Sequence, residues 1–560
     1  MAGDSAGPIV VGLATWLCAV GIIAQSSDPG GRSIRHATPP HFPTSENCMA
    51  CHNSLITDSG EDVSIGSAWR GSMMANSSRD PYWQASVRRE TLDHPAHRPA
   101  IEDECSTCHM PMARTVARSR GEHGHVFAHL PIRRASSTDS RLAAEGVSCT
   151  LCHQISRDNL GSKASFSGGF VVTPATAQGA AIFGPFPVDS GRARIMHSAT
   201  GVTPTESAHI QDSALCATCH TLYTNALGAD GTIVGSLPEQ VPYLEWQHSA
   251  YRHERSCQSC HMPDVSQPTA VASVLGERRS GLSRHTFAGG NLFMLRMLNR
   301  YREELGVVAR ASELEANARA TLDQLQSHSA AISVSAARAS AGVLAIDVSV
   351  QNLTGHKFPT GYPSRRSWLH VTVRTQGGQV LFESGAVLPS GAIVGNDNDA
   401  DPSQFEPHYD EIRSADQVQI YESIMVDSPG RVTTGLLSGT RFIKDNRLLP
   451  RGFDKSTAAP DVAVRGGATT DANFTEAGDR VSYRVSLDAP GEALTIDVAL
   501  CFQSISFRWA RNLASYNADE TLRFVSYFDA MADESSVVVA RTRLQVPVSL
   551  SERSIPPPRR

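Results

Sequence analysis

The segment ENCMACHNSL, residues 46–55, separates Cys48 from Cys51 by two residues and places His52 directly after the second cysteine. The same C-x-x-C-H spacing returns four more times, at Cys105, Cys108 and His109, at Cys149, Cys152 and His153, at Cys216, Cys219 and His220, and at Cys257, Cys260 and His261. A chain with only 12 cysteines among 560 residues would not produce this repetition by chance. The motif therefore determines the architecture of the first half of the protein.

C-x-x-C-H is the pattern that attaches a c-type haem to a polypeptide. Two thiols at this spacing reach the two vinyl groups on one porphyrin edge, and the adjacent imidazole binds the iron. A zinc ribbon pairs two C-x-x-C units and does not require the histidine, and a thioredoxin-type disulfide needs one motif rather than five. The sequence predicts five covalently bound haem c groups, each with its iron bound by the histidine of the motif.

The sixth ligand of each iron sets its reduction potential, which is lower for a second histidine than for a methionine. Histidines near glycine, serine or aromatic residues are the best candidates, and the segment AWRGSMMANSSRDPYW offers a thioether from Met74 or Met73. The alternative is that these histidines lie on the surface and that these methionines fill the core, without binding iron. The predicted sixth ligands are His285, His197, His125, His209 and Met74.

The N-terminus contains an apolar, uncharged stretch at residues 8–24. This stretch predicts an export signal, or an uncleaved anchor, over residues 1–26, although no Lys or Arg precedes it. Residues 27–45 are rich in proline, serine and glycine and are predicted to be a linker. We expect a periplasmic or extracellular protein that contacts a membrane only through an uncleaved N-terminal segment.

The hydrophobic pattern changes after the last motif. Residues 291–306 and 311–328 carry apolar side chains at helical spacing, which predicts a helical hairpin over 291–329. From residue 330 the period becomes two, as in VLAIDVSV and EALTIDVAL, which predicts a β-sandwich over 330–550. The expected fold is α+β, with a loop-rich, mainly helical multihaem domain at 46–290 followed by the sandwich. Haem groups in the core would also explain the low aromatic content of 6%.

One loop of the predicted sandwich, NLTGHKFPTGYPSRRSWLH at residues 352–370, combines glycines and prolines with several cations. Lys357, Arg365 and Arg366 are candidates to bind haem propionates, as arginine binds other carboxylates. His356 is a candidate to reach an iron as a sixth ligand. The alternative is an ordinary polar loop between two strands.

The segments EGVSCTLCHQI, LCATCHTLY, EWQHSAYRHERSCQSCHMP and RHTFAGGN resemble multihaem c-type cytochromes. The similarity is to the superfamily of tetrahaem nitrifier cytochromes, cytochrome c nitrite reductases and hydroxylamine oxidoreductases, over residues 45–285. This resemblance implies closely stacked haems that conduct electrons, with His285 and His197 as distal ligands. The chain has no C-x-x-C-K motif and fewer than eight haem motifs, which weakens any transfer of those enzymes' activities.

The net charge of −6 provides no basic surface for nucleic acid. The sequence predicts an exported pentahaem cytochrome that carries electrons between redox partner proteins. The alternative is an oxidoreductase in which one iron lacks a protein sixth ligand and binds a small nitrogen or sulfur compound, as electron donor or acceptor.

Overall fold

A computed structural model describes residues 41–547, apart from residues 229, 341 and 488–492. These residues belong to a single compact unit. The predicted signal or anchor, and all but the last few residues of the predicted linker, lie outside the described residues. Within the described part of the chain, no helix has both the length and the apolar character needed to cross a bilayer.

The first half of the described chain consists of short helices joined by long loops. The helices are α1 (Ser45–Met49), α2 (Ile65–Arg70), α3 (Pro81–Asp93), α4 (Arg98–His109), α5 (Pro111–Ser119), α6 (Thr138–Ala144), α7 (Cys149–Cys152), α8 (Ser190–Thr200), α9 (Ser213–His220), α10 (Pro242–Gln247) and α11 (Cys257–His261). The five C-x-x-C-H motifs lie on or at the ends of α1, α4, α7, α9 and α11. Because residues three and four apart share a helix face, each motif presents both thiols and its imidazole on one side.

Three small sheets lie between these helices. A parallel pair joins β1 (Ala180–Gly184) to β2 (Val202–Glu206), and antiparallel pairs join β3 (Leu222–Leu227) to β4 (Ile233–Gln240) and β5 (Thr269–Ala270) to β6 (Arg278–Arg279). Sequence reasoning had predicted only helices and loops here. The strands are short, and β4 contains both a glycine and a proline, so they lack the regular alternation by which a strand is recognised.

Two helices follow the last motif, α12 (Leu292–Arg300) and α13 (Ala311–His328). They pack against each other and bury Leu295 and Leu298 of α12 and Leu314 of α13. Helix α12 ends six residues before the predicted boundary at 306, in a turn that closes at Gly306 with a positive φ of 65°.

The second half is built from two larger sheets and a smaller one. Its strands are β7 (Ala330–Ser340), β8 (Val343–Asn352), β9 (Arg366–Thr375), β10 (Val380–Ser384), β11 (Glu411–Ile412), β12 (Ile420–Tyr421), β13 (Ser423–Val426), β14 (Val432–Thr433), β15 (Arg441–Asp445), β16 (Asp479–Ser486), β17 (Leu494–Gln503) and β18 (Ser536–Val546). Its helices are α14 (Asp397–Ala400), α15 (Phe507–Asn512) and α16 (Asp519–Asp529). One sheet has the order β10-β9-β17-β18 with β12 beside β9, another has β11-β16-β8-β7, and the third has β14-β13-β15.

The two larger sheets share one apolar core, to which Ile346 and Val348 of β8, Val371 of β9 and Val498 of β17 contribute fully buried side chains. These residues lie on the alternating face that the sequence pattern predicts. The predicted α+β fold, with a helical first half and a sheet-rich second half, is confirmed.

The two halves are joined by direct contacts. Arg88 of α3 forms an ion pair with Glu520 of α16, with 2.7 Å between Nε and Oε2. The ring of Tyr82 packs against Phe524 and Tyr362, with centroids 5.1 Å and 5.8 Å apart. The second half is therefore packed onto the motif-bearing half.

Candidate haem-binding cavity

A single cavity of about 1700 Å³ lies among the motif helices. All ten motif cysteines and all five motif histidines line it, and none of these ten cysteines forms a disulfide bond. A pocket for one small ligand occupies about 300–1,000 Å³. The cavity is therefore larger than one ligand requires, and its wall carries the chemistry of covalent haem attachment.

Cysteines of different motifs meet inside this cavity. Each of the thiol pairs Cys48 and Cys149, Cys108 and Cys219, and Cys216 and Cys257 lies close enough together for the two thiols to shift each other's pKa. The first motif thus adjoins the third, and the fourth adjoins both the second and the fifth. Haem groups attached at these thiols would have neighbouring porphyrin edges.

The motif imidazoles are oriented by backbone carbonyl groups. In four motif histidines, Nδ1 donates to a backbone carbonyl oxygen. The pairs are His52 with Val271 (2.7 Å), His109 with Ser77 (3.0 Å), His153 with Phe183 (2.6 Å) and His261 with Ala288 (2.6 Å). An imidazole that donates from Nδ1 in this way leaves Nε2 unprotonated for a metal. These four residues therefore fit the role of proximal iron ligands.

Burial lowers the pKa of His109, His153 and His220 and so favours the neutral imidazole, the form that binds metal. It lowers the pKa of His109 to about 4 and that of His220 to about 4. The indole of Trp83 stacks on the ring of His109, with centroids 4.3 Å apart and planes within 5° of parallel. This contact helps to fix the ring of His109.

His285 lines the cavity opposite a motif histidine. Its ring centroid is 6.4 Å from that of His153, with an angle of 15° between the ring planes. Its Nδ1 donates to the carbonyl of Ser283 at 2.9 Å. Two imidazoles on one metal have ring centres roughly 6 Å apart, because each metal–nitrogen distance is about 2 Å. His285 therefore faces the histidine of the third motif, and its ligation of an iron stays a prediction.

A second facing pair is formed by His261 and His356, whose ring centroids are 6.2 Å apart with planes 8° from parallel. His356 comes from the loop of the sandwich that the sequence singled out. Sequence reasoning could not pair it with a motif, because the contact joins the two halves of the chain.

Met74 and Met73 both line the cavity and are half-buried. The carbonyl of Met74 accepts the backbone N–H of Val147 at 2.9 Å, which ties this segment to the third motif. Ligation by Met74 stays a prediction.

The other predicted sixth ligands do not line the cavity. His125 and His197 are exposed. His209 is half-buried beside Phe183, and its two ring nitrogens are hydrogen-bonded to Ser207 Oγ at 2.6 Å and to the carbonyl of Ile155 at 2.8 Å. Ligation by these three histidines stays a prediction.

Two of the three loop cations are not available to a propionate. Lys357 pairs with Asp445 at 2.7 Å, and Arg366 pairs with Asp399 at 2.8 Å; all four side chains are buried. The expectation of propionate binding is therefore wrong for Lys357 and Arg366, because carboxylates from distant segments already neutralise them.

Arg365 differs from its two neighbours because it lines the cavity. Nη1 donates to the carbonyl of Thr360 at 2.8 Å, and Nη2 donates to Oδ1 of Asn291 at 3.3 Å. Among the described residues it has no carboxylate partner, and burial lowers the pKa of this guanidinium to about 10. It remains the one loop cation able to bind a propionate.

A cluster in the sandwich brings His408 together with Asp471 and Asp479, close enough to suggest a metal site. Nδ1 of His408 accepts hydrogen bonds from the side-chain amides of Gln419 at 2.9 Å and Asn446 at 3.1 Å. Backbone N–H groups fix the orientation of both amides. Nε2 therefore carries the proton and donates to Asp471 at 3.0 Å, so the cluster is a hydrogen-bonded network rather than a metal site.

Comparisons with known proteins leave the family open. No family model matches the chain, and no curated protein matches it. Among solved structures, a penta-heme cytochrome c552 from Thermochromatium tepidum is similar, with a TM-score of 0.49 and 16% sequence identity. The match covers 91% of this chain and 100% of that one.

Proposed function

We propose that this chain is an exported pentahaem c-type cytochrome that carries electrons between redox partner proteins. The observation that carries the proposal is the single cavity whose wall holds all five C-x-x-C-H motifs. Haem c supplies reversible one-electron chemistry at its iron. In this proposal the two cysteines of each motif would hold a porphyrin through thioether bonds, and the motif histidine would bind its iron.

Contacts between motifs support a continuous electron path. The first and third motifs adjoin through Cys48 and Cys149, and the second, fourth and fifth adjoin through the thiols of the fourth. Burial is the main cause that raises the pKa of Cys152 in the third motif, and the nearby charge of Cys219 in the fourth motif raises it further. The third and fourth motifs are therefore neighbours as well. Electrons that enter at any one haem would therefore reach all five.

A second candidate function is an oxidoreductase acting on a small nitrogen or sulfur compound at an iron without a protein sixth ligand. It is favoured by Arg365, a cation in the cavity wall that could bind an anionic substrate. The phenol of Tyr362 lines the same cavity and would serve as the proton donor.

Spectroscopy of the oxidised, fully matured protein separates the two functions. Electron transfer alone predicts low-spin iron at all five haems and no spectral change with cyanide or nitrite. An oxidoreductase with one iron open to substrate should instead show one high-spin haem whose spectrum changes with cyanide or nitrite. The primary proposal also predicts that reductive titration takes up five electrons per chain and that a soluble redox protein reoxidises all five haems. A reduced protein that transfers no electron to any protein acceptor, but reduces nitrite catalytically, would contradict it.

A further inference from the structure

His356 lies in the loop between β8 and β9, yet its ring faces a motif histidine of the other half of the chain. The centroids of His356 and His261 are 6.2 Å apart, and the ring planes are 8° from parallel. His153 and His285 show nearly the same arrangement, with 6.4 Å and 15°. Both separations match two imidazoles that share one metal at about 2 Å from each nitrogen.

The hydrogen bonds of His356 involve Nδ1 and leave Nε2 available for a metal. Nδ1 donates to the carbonyl of Lys357 at 2.9 Å, and the hydroxyl of Thr354 lies 3.3 Å from the same nitrogen. Nε2 is then unprotonated, as it is in the four motif histidines that donate from Nδ1. The ring also lines the cavity that the fifth motif lines.

The loop is held rigidly on both sides of His356. Nδ2 of Asn352 donates to the carbonyl of His356 at 2.7 Å. The carboxylate of Glu245, in α10, accepts the backbone N–H of Lys357 at 3.1 Å and the hydroxyl of Thr360 at 2.5 Å. Since α10 precedes the fifth motif, the loop is anchored to the segment that carries His261. A metal ligand requires this kind of support from surrounding hydrogen bonds.

From these observations we infer that His356 is the sixth ligand of the iron bound by His261. The inference rests on the proposed function, because it requires a haem at Cys257 and Cys260. In this role the second half of the chain supplies a ligand to the haem of the fifth motif and closes that iron to external ligands.

His328 is the rival for this role. It lies at the end of α13 and also lines the cavity. It is exposed, and it does not face His261 as His356 does. The two assignments predict different effects of substitution, so a pair of variants separates them.

The test uses the full chain matured with haem, with the haem count of each variant measured first. We expect His356→Ala to convert one of the five haems from low spin to high spin by electron paramagnetic resonance. That haem should bind cyanide, and added imidazole should return it to low spin. His328→Ala, and His370→Ala in the same half of the chain, should leave the spin state unchanged.

A matured His356→Ala protein with the spin state of the wild type would overturn the inference, as would a new high-spin haem in His328→Ala instead. If His356→Ala does not accumulate, His356→Met serves, because a thioether keeps the iron six-coordinate while raising one midpoint potential. An unchanged set of five potentials in His356→Met would also overturn the inference. A chain without covalent haem would contradict the proposed function itself, which the haem count reveals separately.

Discussion

At the scale of single residues, hydrogen bonding prepares side chains for their roles. Four motif histidines donate from Nδ1 to a carbonyl, so Nε2 is left for a metal. Their partners also distinguish the cations of the sandwich loop. Lys357 and Arg366 have buried carboxylate partners, whereas Arg365 has none among the described residues. The role of a residue therefore depends on its partners as much as on its type.

Replacing Arg365 with glutamine tests whether this cation binds a haem propionate. If Arg365 binds a propionate, the substitution removes a positive charge beside that haem, and the loss of a nearby cation stabilises ferric iron. We expect the midpoint potential of one haem to fall while the other four stay unchanged, as measured by spectroelectrochemical titration.

Arg255→Gln is the matched control for Arg365→Gln. Arg255 also lines the cavity but is exposed, so water screens its charge. Its removal should leave all five potentials unchanged. Five unchanged potentials in Arg365→Gln would exclude the propionate role.

At the scale of secondary structure, short helices carry the motifs and depend on their caps. Helix α9, which holds the fourth motif, begins after Asp212, whose side chain accepts the backbone N–H of Ala214 at 2.9 Å. Helix α11 begins similarly after Ser256, whose hydroxyl accepts the N–H of Ser259. Helices this short have little stability of their own, so each cap matters.

Removing the cap of α9 should destabilise the protein measurably. Asp212→Ala leaves a backbone N–H without its acceptor and should lower the free energy of unfolding by about 1 kcal/mol. Asp212→Asn keeps an acceptor oxygen, so it should change the free energy of unfolding by only a few tenths of the loss expected for Asp212→Ala. Chemical denaturation of the matured protein measures both, and equal stabilities for the alanine and asparagine variants would show that the cap contributes nothing.

The sandwich contains a buried carboxyl group whose ionisation opposes folding. Burial raises the pKa of Asp479, in β16, from an ordinary value of 3.8 to about 7. One of its oxygens accepts hydrogen bonds from Tyr421 and Gln419, and the other has no partner among the described residues. The folded protein therefore binds this proton more tightly than the unfolded chain does.

This difference fixes the sign of a pH effect. Between pH 4 and pH 7, approximately, the folded state holds the Asp479 proton and the unfolded state loses it, so stability falls as pH rises. Because Asp479→Asn cannot ionise, its free energy of unfolding should not show this fall with pH. At pH 8 the variant should be more stable than the wild type by about 4 kcal/mol at most. The control Asp529→Asn, at the exposed end of α16, should keep the slope of the wild type. Identical pH profiles for Asp479→Asn and the wild type would contradict the account.

At the scale of the whole molecule, some features were predictable from the sequence and others were not. The motifs, helix α13 and the alternating strands β8, β9 and β17 follow from local patterns, as does the importance of the loop that carries His356. The pairing of His356 with His261, and of Lys357 with Asp445, depends on contacts between distant segments. The strands β1 to β6 were missed because most of them are too short to show a clear period, and β1, β2 and β4 also contain glycine or proline.

If haem c is attached as proposed, the haem groups occupy the cavity of about 1700 Å³ among the motif helices. The most direct measurement is the intact mass of the full chain from a host that attaches haem c, together with its pyridine haemochrome absorbance. We predict a mass that exceeds the polypeptide by five haem groups. Replacing Cys48 and Cys51 together with serine should leave four, and Cys501→Ser, outside the motifs, should keep five. A wild-type chain with the bare polypeptide mass and no haemochrome absorbance would contradict the account.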